Sequence, residues 1–419
     1  MKIYLTLLSF ILSANIFGMP SHIYKHVPLQ LTLKESQNLL KSHWFNLGNG
    51  ILKSIDNETE EAISGGEKLA KWIKKLNKNR SATNQIRLTN KSLRKGIPIE
   101  SPSKYGPKTI MNDLQKLKET IPRSILEIVY SNSPLSDKIP SEVTLVEFIK
   151  YGRKINKLYQ TAVRWTTVIE PWLSWFSQNK VKDVRGYFTL SKIKNLDMKL
   201  NKFSKLGNDE KTILKESLLG ICINNYFSRK QCLSKYKIYL NINNLVSFKD
   251  RYIKQSKIMW DSYFKITNPR SDTSWTSKHP NELHVPFSNI KNKIIADWLS
   301  FNVEDEFKTK EWNLKINYIT PNWDSANLKF KSGVTPHVTG GNTIVMDENT
   351  SIEEYSVRWT IRHEFGHILR LPDCYVEFYD SEQELAINYQ LDITNLMCSR
   401  AGDFHLDNFK ELKRVYFKE

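Results

Sequence analysis

The sequence lacks the long apolar runs and the cysteine spacing that would assign it to several common classes. Beyond residue 18, no apolar run approaches bilayer-spanning length without charges, and even the Trp-rich run from Ala162 to Phe176 contains Arg164 and Glu170. Only four cysteines occur, and none is spaced from another as C-x-x-C, which disfavours a structural zinc ribbon. The composition, with 40% hydrophobic and 11% aromatic residues, is typical of packed globular structure. A length of 419 residues predicts two or three domains.

The first 18 residues, MKIYLTLLSFILSANIFG, are predicted to be a signal peptide. A lysine precedes an apolar run that is long enough for a signal sequence and marginal for a membrane span. The small residues Ser13, Ala14 and Gly18 suit signal peptidase, and an uncleaved membrane anchor stays open as the alternative. No cysteine follows the run, which disfavours lipoprotein processing. We therefore expect a secreted or periplasmic protein with no integral membrane span after cleavage.

The cysteines fall into two separated pairs, which agrees with export to an oxidising compartment. We favour the nearest-neighbour disulfides, Cys222 with Cys232 and Cys374 with Cys398, because each pair lies within one proposed region. Four reduced, buried thiols are the alternative.

The net charge of +18 is unevenly distributed along the chain. Residues 1–280 carry 47 Lys and Arg against 22 Asp and Glu, whereas residues 281–419 carry 15 against 22. Opposite charge predicts two functional units, a basic region at residues 19–280 and a second domain at residues 281–419. The boundary is expected within the stretch from Thr267 to Pro286, which shows no sustained periodicity.

The basic region is predicted to be mainly α-helical, and no repeat or catalytic motif is recognisable in it. Breaks are expected at Gly96 to Pro107 and at Ser131 to Pro140. Apolar residues at three- and four-residue spacing predict these helices: Leu31 to Leu40, Glu58 to Asn77, Met111 to Tyr130, Ser141 to Phe176 and Asn208 to Leu219.

A cluster of basic residues in the first region is a candidate contact for an anionic surface, such as nucleic acid, lipid head groups or a bacterial envelope polymer. The alternative is a solvated helix face in a lysine-rich sequence. The residues concerned are Lys71, Lys74, Lys75, Lys78 and Arg80.

The second region changes to a mixture of strands and helices. Alternating residues predict a strand at Trp312 to Ile319, and a second strand is expected at Asn342 to Met346. A helix over residues 351–369 should follow, with Thr350 as its N-cap and Glu353 completing a capping box. A C-terminal helix is expected at Leu406 to Phe417.

The segment HEFGH, residues 363–367, carries the chemistry of the chain. Two histidines four residues apart on a helix project from one face, so His363 and His367 can bind one zinc ion. Glu364 lies on the same side without taking a coordination position. It is therefore the candidate general base for a zinc-activated water that attacks a carbonyl.

With Asp373 six residues after His367, the run HEFGHILRLPD resembles the metzincin zinc peptidases, specifically the snapalysin-like branch whose pattern is HExxHxxGxxD. The resemblance covers about 130 C-terminal residues. It implies a small α+β peptidase domain, zinc bound by His363, His367 and Asp373, and Glu364 as the catalytic residue. Tyr375 would help to stabilise the tetrahedral intermediate or would simply be a packed aromatic.

The same resemblance has two further implications. Met397, in the run NLMCS, would form an apolar floor beneath the zinc-binding histidines. The strand Asn342 to Met346 would lie at the sheet edge and pair with substrate. A disulfide between Cys374 and Cys398 would tie the ligand loop to the methionine turn.

One position departs from the pattern, because Arg370 stands where the family has glycine. An arginine in a left-handed conformation costs roughly 1 to 2 kcal/mol, or else the turn is built differently. Other third ligands stay open: Glu382 or Glu384, by analogy with gluzincins, and His405 in a three-histidine site.

Three functions are compatible with these patterns. The favoured one is a secreted zinc metalloendopeptidase acting on protein or peptide substrates. The alternatives are a zinc-dependent amidase or hydrolase that acts on an envelope polymer, and a non-catalytic zinc-containing binding protein. The helical region would be an attachment domain or a pro-domain, in which Cys222 or Cys232 could block the zinc. The sequence does not indicate substrate specificity or oligomeric state.

Overall fold

The computed structural model describes residues 56–89, 103–381 and 383–419. The predicted signal peptide, the predicted helix from Leu31 to Leu40 and Glu382 lie outside these residues. Within the described ranges, no helix is both long enough and apolar enough to cross a bilayer.

Helices make up most of the described residues between 56 and 262, as the periodicity predicts. The predicted single helix from Met111 to Tyr130 is wrong, because Pro122 forces Ile121 into an extended conformation and divides it in two. The helices are α1 (Asp56–Asn77), α2 (Pro107–Thr120), α3 (Arg123–Val129), α4 (Leu145–Arg164), α5 (Leu173–Gln178), α6 (Arg185–Lys192), α7 (Leu196–Asn201), α8 (Asn208–Ile223), α9 (Arg229–Asn241) and α10 (Leu245–Ser262).

Helix α4 begins where its own sequence caps it. The Thr144 hydroxyl accepts from the Glu147 backbone N–H, and the Glu147 carboxylate accepts from the Thr144 N–H at 3.0 Å. Beyond Arg164 the helical path continues through a π-helical turn (Trp165–Ile169) and a 3₁₀ turn (Glu170–Trp172). These turns continue from the end of α4 along the cleft described below.

Strands and helices alternate in the rest of the chain, and this mixture confirms the α+β class. Two predicted strands are found within one residue of their expected starts, and the C-terminal helix ends one residue early. The elements are β1 (Ser103–Tyr105), β2 (Glu282–Ser288), α11 (Lys293–Glu306), β3 (Asn313–Ile319), β4 (Asn327–Lys331), β5 (His337–Thr339), β6 (Thr343–Asp347), α12 (Tyr355–Ile368), β7 (Tyr375–Asp380), β8 (Leu385–Gln390) and α13 (Leu406–Tyr416).

The strands form three small sheets. β1, β8 and β7 are antiparallel in that order, and β2 pairs in parallel with β3. In the third sheet, β6 is the central strand, with β4 parallel on one side and β5 antiparallel on the other. The expectation that residues 342–346 form a free edge is therefore wrong, because β5 already occupies the antiparallel side of β6.

Two apolar cores lie within the described residues, and neither stops at residue 280. One core packs buried residues between 62 and 176 together with Tyr379 and Ala386 of the β7–β8 hairpin. The other runs from Val184 to Tyr416. The expected boundary stretch is itself ordered, since Trp275 is 1% exposed and the Lys418 N–H donates to its carbonyl.

Both predicted disulfides are present. Cys222 bonds to Cys232 between α8 and α9, and Cys374 bonds to Cys398 in the C-terminal region. Cys222 and Cys232 are fully buried, so neither offers a free thiol to a metal.

Candidate metal centre

Helix α12 carries the HEFGH segment, but it begins later than the sequence predicts. Its N-cap is Glu354, so the predicted N-cap at Thr350 is wrong. The Glu354 carboxylate accepts from the backbone N–H groups of Leu88 and Thr89 at 2.8 and 2.9 Å. The Thr89 hydroxyl in turn accepts from the Ser356 N–H at 3.1 Å. The helix is thus capped by a segment 267 residues away in sequence, which no local capping signal encodes.

The apolar stripe of α12 fixes the direction in which the histidines point. Ile361, Phe365 and Ile368 are all 0% exposed and recur at three- and four-residue spacing. The Phe365 ring stacks on Phe287 of β2 with centroids 6.3 Å apart. The opposite face, which carries His363 and His367, therefore lines a cleft.

Three predicted ligands converge in this cleft. The Nε2 atoms of His363 and His367 lie 3.2 Å apart, and the Asp373 Oδ1 atom lies 3.2 and 3.1 Å from them, respectively. Among the described residues, this is the one group of His, Cys, Asp and Glu side chains with the proximity of metal ligands.

The outer nitrogens of both rings show which atoms face the centre. His363 Nδ1 lies 2.8 Å from the Leu396 carbonyl oxygen, and His367 Nδ1 lies 2.9 Å from the Leu371 carbonyl oxygen. A carbonyl only accepts, so each Nδ1 carries a proton and each neutral ring presents a lone pair at Nε2. The Asp373 Oδ1 atom is buried and receives no hydrogen bond of good geometry. Two lone pairs and a carboxylate oxygen therefore point at one another, an arrangement that a cation stabilises.

The spacing fits zinc. Tetrahedral bonds of about 2.0–2.2 Å to nitrogen and oxygen place neighbouring ligand atoms roughly 3.3 Å apart. The three measured separations lie within about 0.2 Å of that value. Two imidazoles and one carboxylate also match the donor set of zinc sites that keep a fourth position open.

The electrostatics of the cluster favour positive charge. Burial lowers the pKa of His367, but the neighbouring Asp373 carboxylate outweighs burial and raises that pKa to about 9. Burial raises the pKa of Asp373, whereas His367 and His363 hold it well below its usual range. The cluster therefore attracts a cation, whether a proton or a metal ion.

The turn after α12 brings Asp373 to the histidines, and Arg370 adopts the left-handed conformation at φ 63°. Its N–H donates to the His367 carbonyl at 2.9 Å, and the Leu371 N–H donates to the Gly366 carbonyl at 3.0 Å. These two bonds form a Schellman motif with arginine in the usual glycine position. The turn is therefore closed at the cost of backbone strain at Arg370. The guanidinium fills the space that a Cβ on Gly341 would take.

Met397 packs directly beneath the helix between the two histidines. A Cβ placed on Gly366 would lie 2.3 Å from the Met397 Sδ atom, so any larger residue there would force Met397 to move. The Cys374 N–H donates to the Met397 carbonyl at 3.1 Å, beside the disulfide to Cys398. The methionine turn and the loop that bears Asp373 are thus bonded to each other.

The remaining candidates take different places. Glu364 is 4% exposed and lines the cleft together with the three ligands, as does Tyr375, whose ring stacks on His363 with centroids 6.5 Å apart. Glu384 forms a surface ion pair with Lys108 at 2.6 Å. His405 is the N-cap of α13, and its Nδ1 lies 3.6 Å from Asp392.

The cleft, about 810 Å³ in volume, is walled partly by the helical region. Arg164 at the end of α4 pairs with Glu377 of β7 through both of its donor arms. The Tyr105 hydroxyl of β1 donates to the same carboxylate at 2.5 Å. No local sequence pattern predicts a role for these residues, because their partners lie more than two hundred positions away.

The other walls are aromatic side chains and the edge of a sheet. Trp172 and Trp175 are 64% and 51% exposed, and both line the cleft. Pro336 also lines the cleft, as do His337 and Val338 of β5, the strand that takes the antiparallel side of β6.

Comparisons with known proteins return no match, whether among the models of protein families, the curated proteins or the solved structures. The resemblance to metzincins thus rests on the sequence pattern of this chain.

Proposed function

We propose that the chain is a secreted zinc-dependent endopeptidase of metzincin type. The observation that carries the proposal is the convergence of His363 Nε2, His367 Nε2 and Asp373 Oδ1 with both Nδ1 protons held outward by carbonyls. The two disulfides support export, because such bonds persist in oxidising compartments.

The side chains around the centre would have separate roles in peptide hydrolysis. His363, His367 and Asp373 would hold the metal. Zinc, when bound there, supplies a Lewis acid that makes water acidic and polarises a carbonyl. Glu364 accepts the proton of the attacking water and returns it to the leaving amine nitrogen as the C–N bond breaks. Tyr375 stands beside His363, where its hydroxyl can donate to the developing oxyanion.

The helical region contributes to the site in this proposal and is not a detachable pro-domain. Thr89 caps α12, and Arg164 and Tyr105 hold Glu377 in the cleft wall. Cutting this region away would remove all three side chains.

A second candidate, an amidase acting on an envelope polymer, is favoured by the exposed indoles of Trp172 and Trp175 at the cleft. Flat aromatic faces beside a hydrolytic centre suit sugar rings. Attachment of the basic region to an anionic surface stays a prediction. Lys71 and Lys74 are exposed on α1 and Lys78 is exposed just after it, whereas Lys75 is paired with Asp137 at 2.9 Å.

The test is to purify the full chain, measure bound zinc, and assay cleavage of unfolded protein and of purified peptidoglycan. We expect one zinc per chain and cleavage of protein. Glu364→Ala should lose at least a hundredfold in rate while retaining zinc, because general-base catalysis contributes about 10²–10⁴-fold. Cleavage of peptidoglycan alone would replace the first candidate with the second.

A matched pair of variants tests the ligand set. Asp373→Ala should weaken zinc retention by more than a hundredfold, since even the loss of outer contacts to ligands costs about 10–100-fold. Glu384→Ala removes a carboxylate that is paired elsewhere and should leave zinc retention unchanged. Equal effects of the two variants, or a chain that binds no zinc on reconstitution, would exclude the proposed centre.

A further inference from the structure

A second cavity, of about 450 Å³, opens beside Glu364 on the side facing the start of α12. It shares His363, Glu364 and Tyr375 with the metal cleft, so the two cavities meet at the proposed centre. Much of its wall is apolar, including Val357 and Trp359. A group bound in it would lie next to the bond that is cleaved.

Arg400, three residues after Met397, enters this cavity. Its Nη1 donates to the Thr360 Oγ1 atom at 3.1 Å. Thr360 precedes Glu364 by one helical turn, a rise of roughly 6 Å. The guanidinium is therefore anchored to the helical turn that precedes the general base, and both residues line the same cavity. Arg400 is exposed, so its other donors are open to a ligand.

Arg400 has no ion-pair partner among the described residues, so it is the cation available to an anionic ligand in this cavity. Among the described residues, no carboxylate lies within ion-pairing distance of it. Arg164, the other arginine of the cavity, is already paired with Glu377. Asp347 accepts from the Tyr159 hydroxyl at 2.7 Å and from two backbone N–H groups, so its charge is compensated locally.

We propose that this cavity binds a carboxylate of the substrate on Arg400, adjacent to the scissile bond. A guanidinium presents donors in a fork that matches a carboxylate, so one carboxylate can accept two charge-assisted hydrogen bonds from it. The carboxylate is either an aspartate or glutamate side chain or the free C-terminus of a short peptide. This inference rests on the proposed peptidase function for its catalytic part only, because binding of the carboxylate needs no turnover.

The experiment compares matched peptides on the zinc-loaded full chain. One quenched fluorescent series varies a single residue on each side of the cleaved bond among Glu, Gln, Leu and Lys. A second series ends either in a free carboxylate or in a carboxamide. Arg400→Gln is the test variant. Arg358→Gln is the control, because Arg358 lies on α12 beside the cavity but pairs with Glu353 at 2.8 Å.

We expect wild type to prefer the carboxylate peptide by about ten- to a hundredfold in kcat/KM, the value of a charge-assisted hydrogen bond. The preference should vanish in Arg400→Gln and persist in Arg358→Gln, and the responding series identifies the source of the carboxylate. Cleavage without any preference, or a preference that survives in Arg400→Gln, would overturn the inference and leave the peptidase proposal standing.

Binding gives a readout that does not need hydrolysis. Fluorescence anisotropy of labelled Glu and Gln peptides is measured on Glu364→Gln, with and without Arg400→Gln. If the wild type cleaves no peptide but the peptides bind in a way that depends on Arg400, the carboxylate site is supported and the peptidase function is rejected. Neither cleavage nor binding would reject both.

Discussion

The contact between Gly366 and Met397 predicts that Gly366→Ala has opposite effects on the free energy of unfolding when Met397 is present and when it is replaced by alanine. In Gly366→Ala, the new methyl group would lie 2.3 Å from the Met397 Sδ atom and 3.0 Å from its Cε atom. Ordinary van der Waals contacts are about 3.5–4.0 Å, so the Met397 side chain must move away by roughly 1 Å. Met397 is 1% exposed, which leaves it little room.

The magnitudes follow from two opposing effects. Overpacking a core costs about 1–3 kcal/mol, whereas alanine gains about 0.8–1.0 kcal/mol over glycine inside a helix. Gly366→Ala should therefore range from neutral to about 2 kcal/mol destabilising in the wild-type background. Met397→Ala alone should cost about 2–5 kcal/mol by leaving a cavity. In that background the clash is gone, and Gly366→Ala should stabilise by up to about 1 kcal/mol.

The assay is urea unfolding of the four chains of this double-mutant cycle, with zinc retention measured in parallel. We expect a coupling free energy of about 1–3 kcal/mol and weaker zinc retention in Gly366→Ala, because the methionine is displaced from beneath the histidines. Gly207→Ala is the control, since a Cβ on Gly207 meets nothing within 4 Å and its effect should be the same in both backgrounds. An identical effect of Gly366→Ala with and without Met397 would refute the packing argument.

Two further predictions concern the turn and the cluster. Arg370→Gly and Arg370→Ala both remove the guanidinium. The glycine variant should be more stable by about 0.5–1 kcal/mol in urea unfolding, because the relief of left-handed strain exceeds its extra unfolded-state entropy. Higher stability of the alanine variant would contradict the argument from the positive φ of this residue. Zinc binding should displace a proton from His367, whose metal-free pKa is about 9. Apparent zinc affinity in chelator competition should therefore rise up to tenfold per pH unit from near neutrality and level off above about pH 9. In the metal-free chain the same raised pKa stabilises the fold below about pH 6.5, and this stabilisation is lost as pH rises through about 9. A pH-independent zinc affinity would show that no proton is displaced.

Local signals in the sequence predicted local structure well. The four-residue histidine spacing placed both rings on one helical face, and nearest-neighbour pairing gave both disulfides. Of the two turns expected at Arg370, the left-handed one is found, because the position adopts a positive φ. Each of these inferences depends on residues within about one turn or one loop of each other, where spacing alone constrains the geometry.

The errors occur where distant residues determine the outcome. The start of α12 is set by Thr89, not by its own flanking residues. The edge of the third sheet is β5, whose three residues carry too little pattern to predict a strand. Arg164 and Arg400 reach the site from a helix end and from a loop, and neither position differs in sequence from an ordinary surface arginine.

The hydrogen bond between Tyr105 and Glu377 joins residues 272 positions apart. The cleft can therefore form only late in synthesis and folding. A ribosome releases the wall residues first and the histidines, Asp373 and strand β8 last. Pairing β1 with β8 closes a loop that spans most of the described chain, and such long-range pairings form slowly. Any reactivity of the centre therefore begins only after both halves of the chain have met, so a partly made or partly folded chain has no completed cleft.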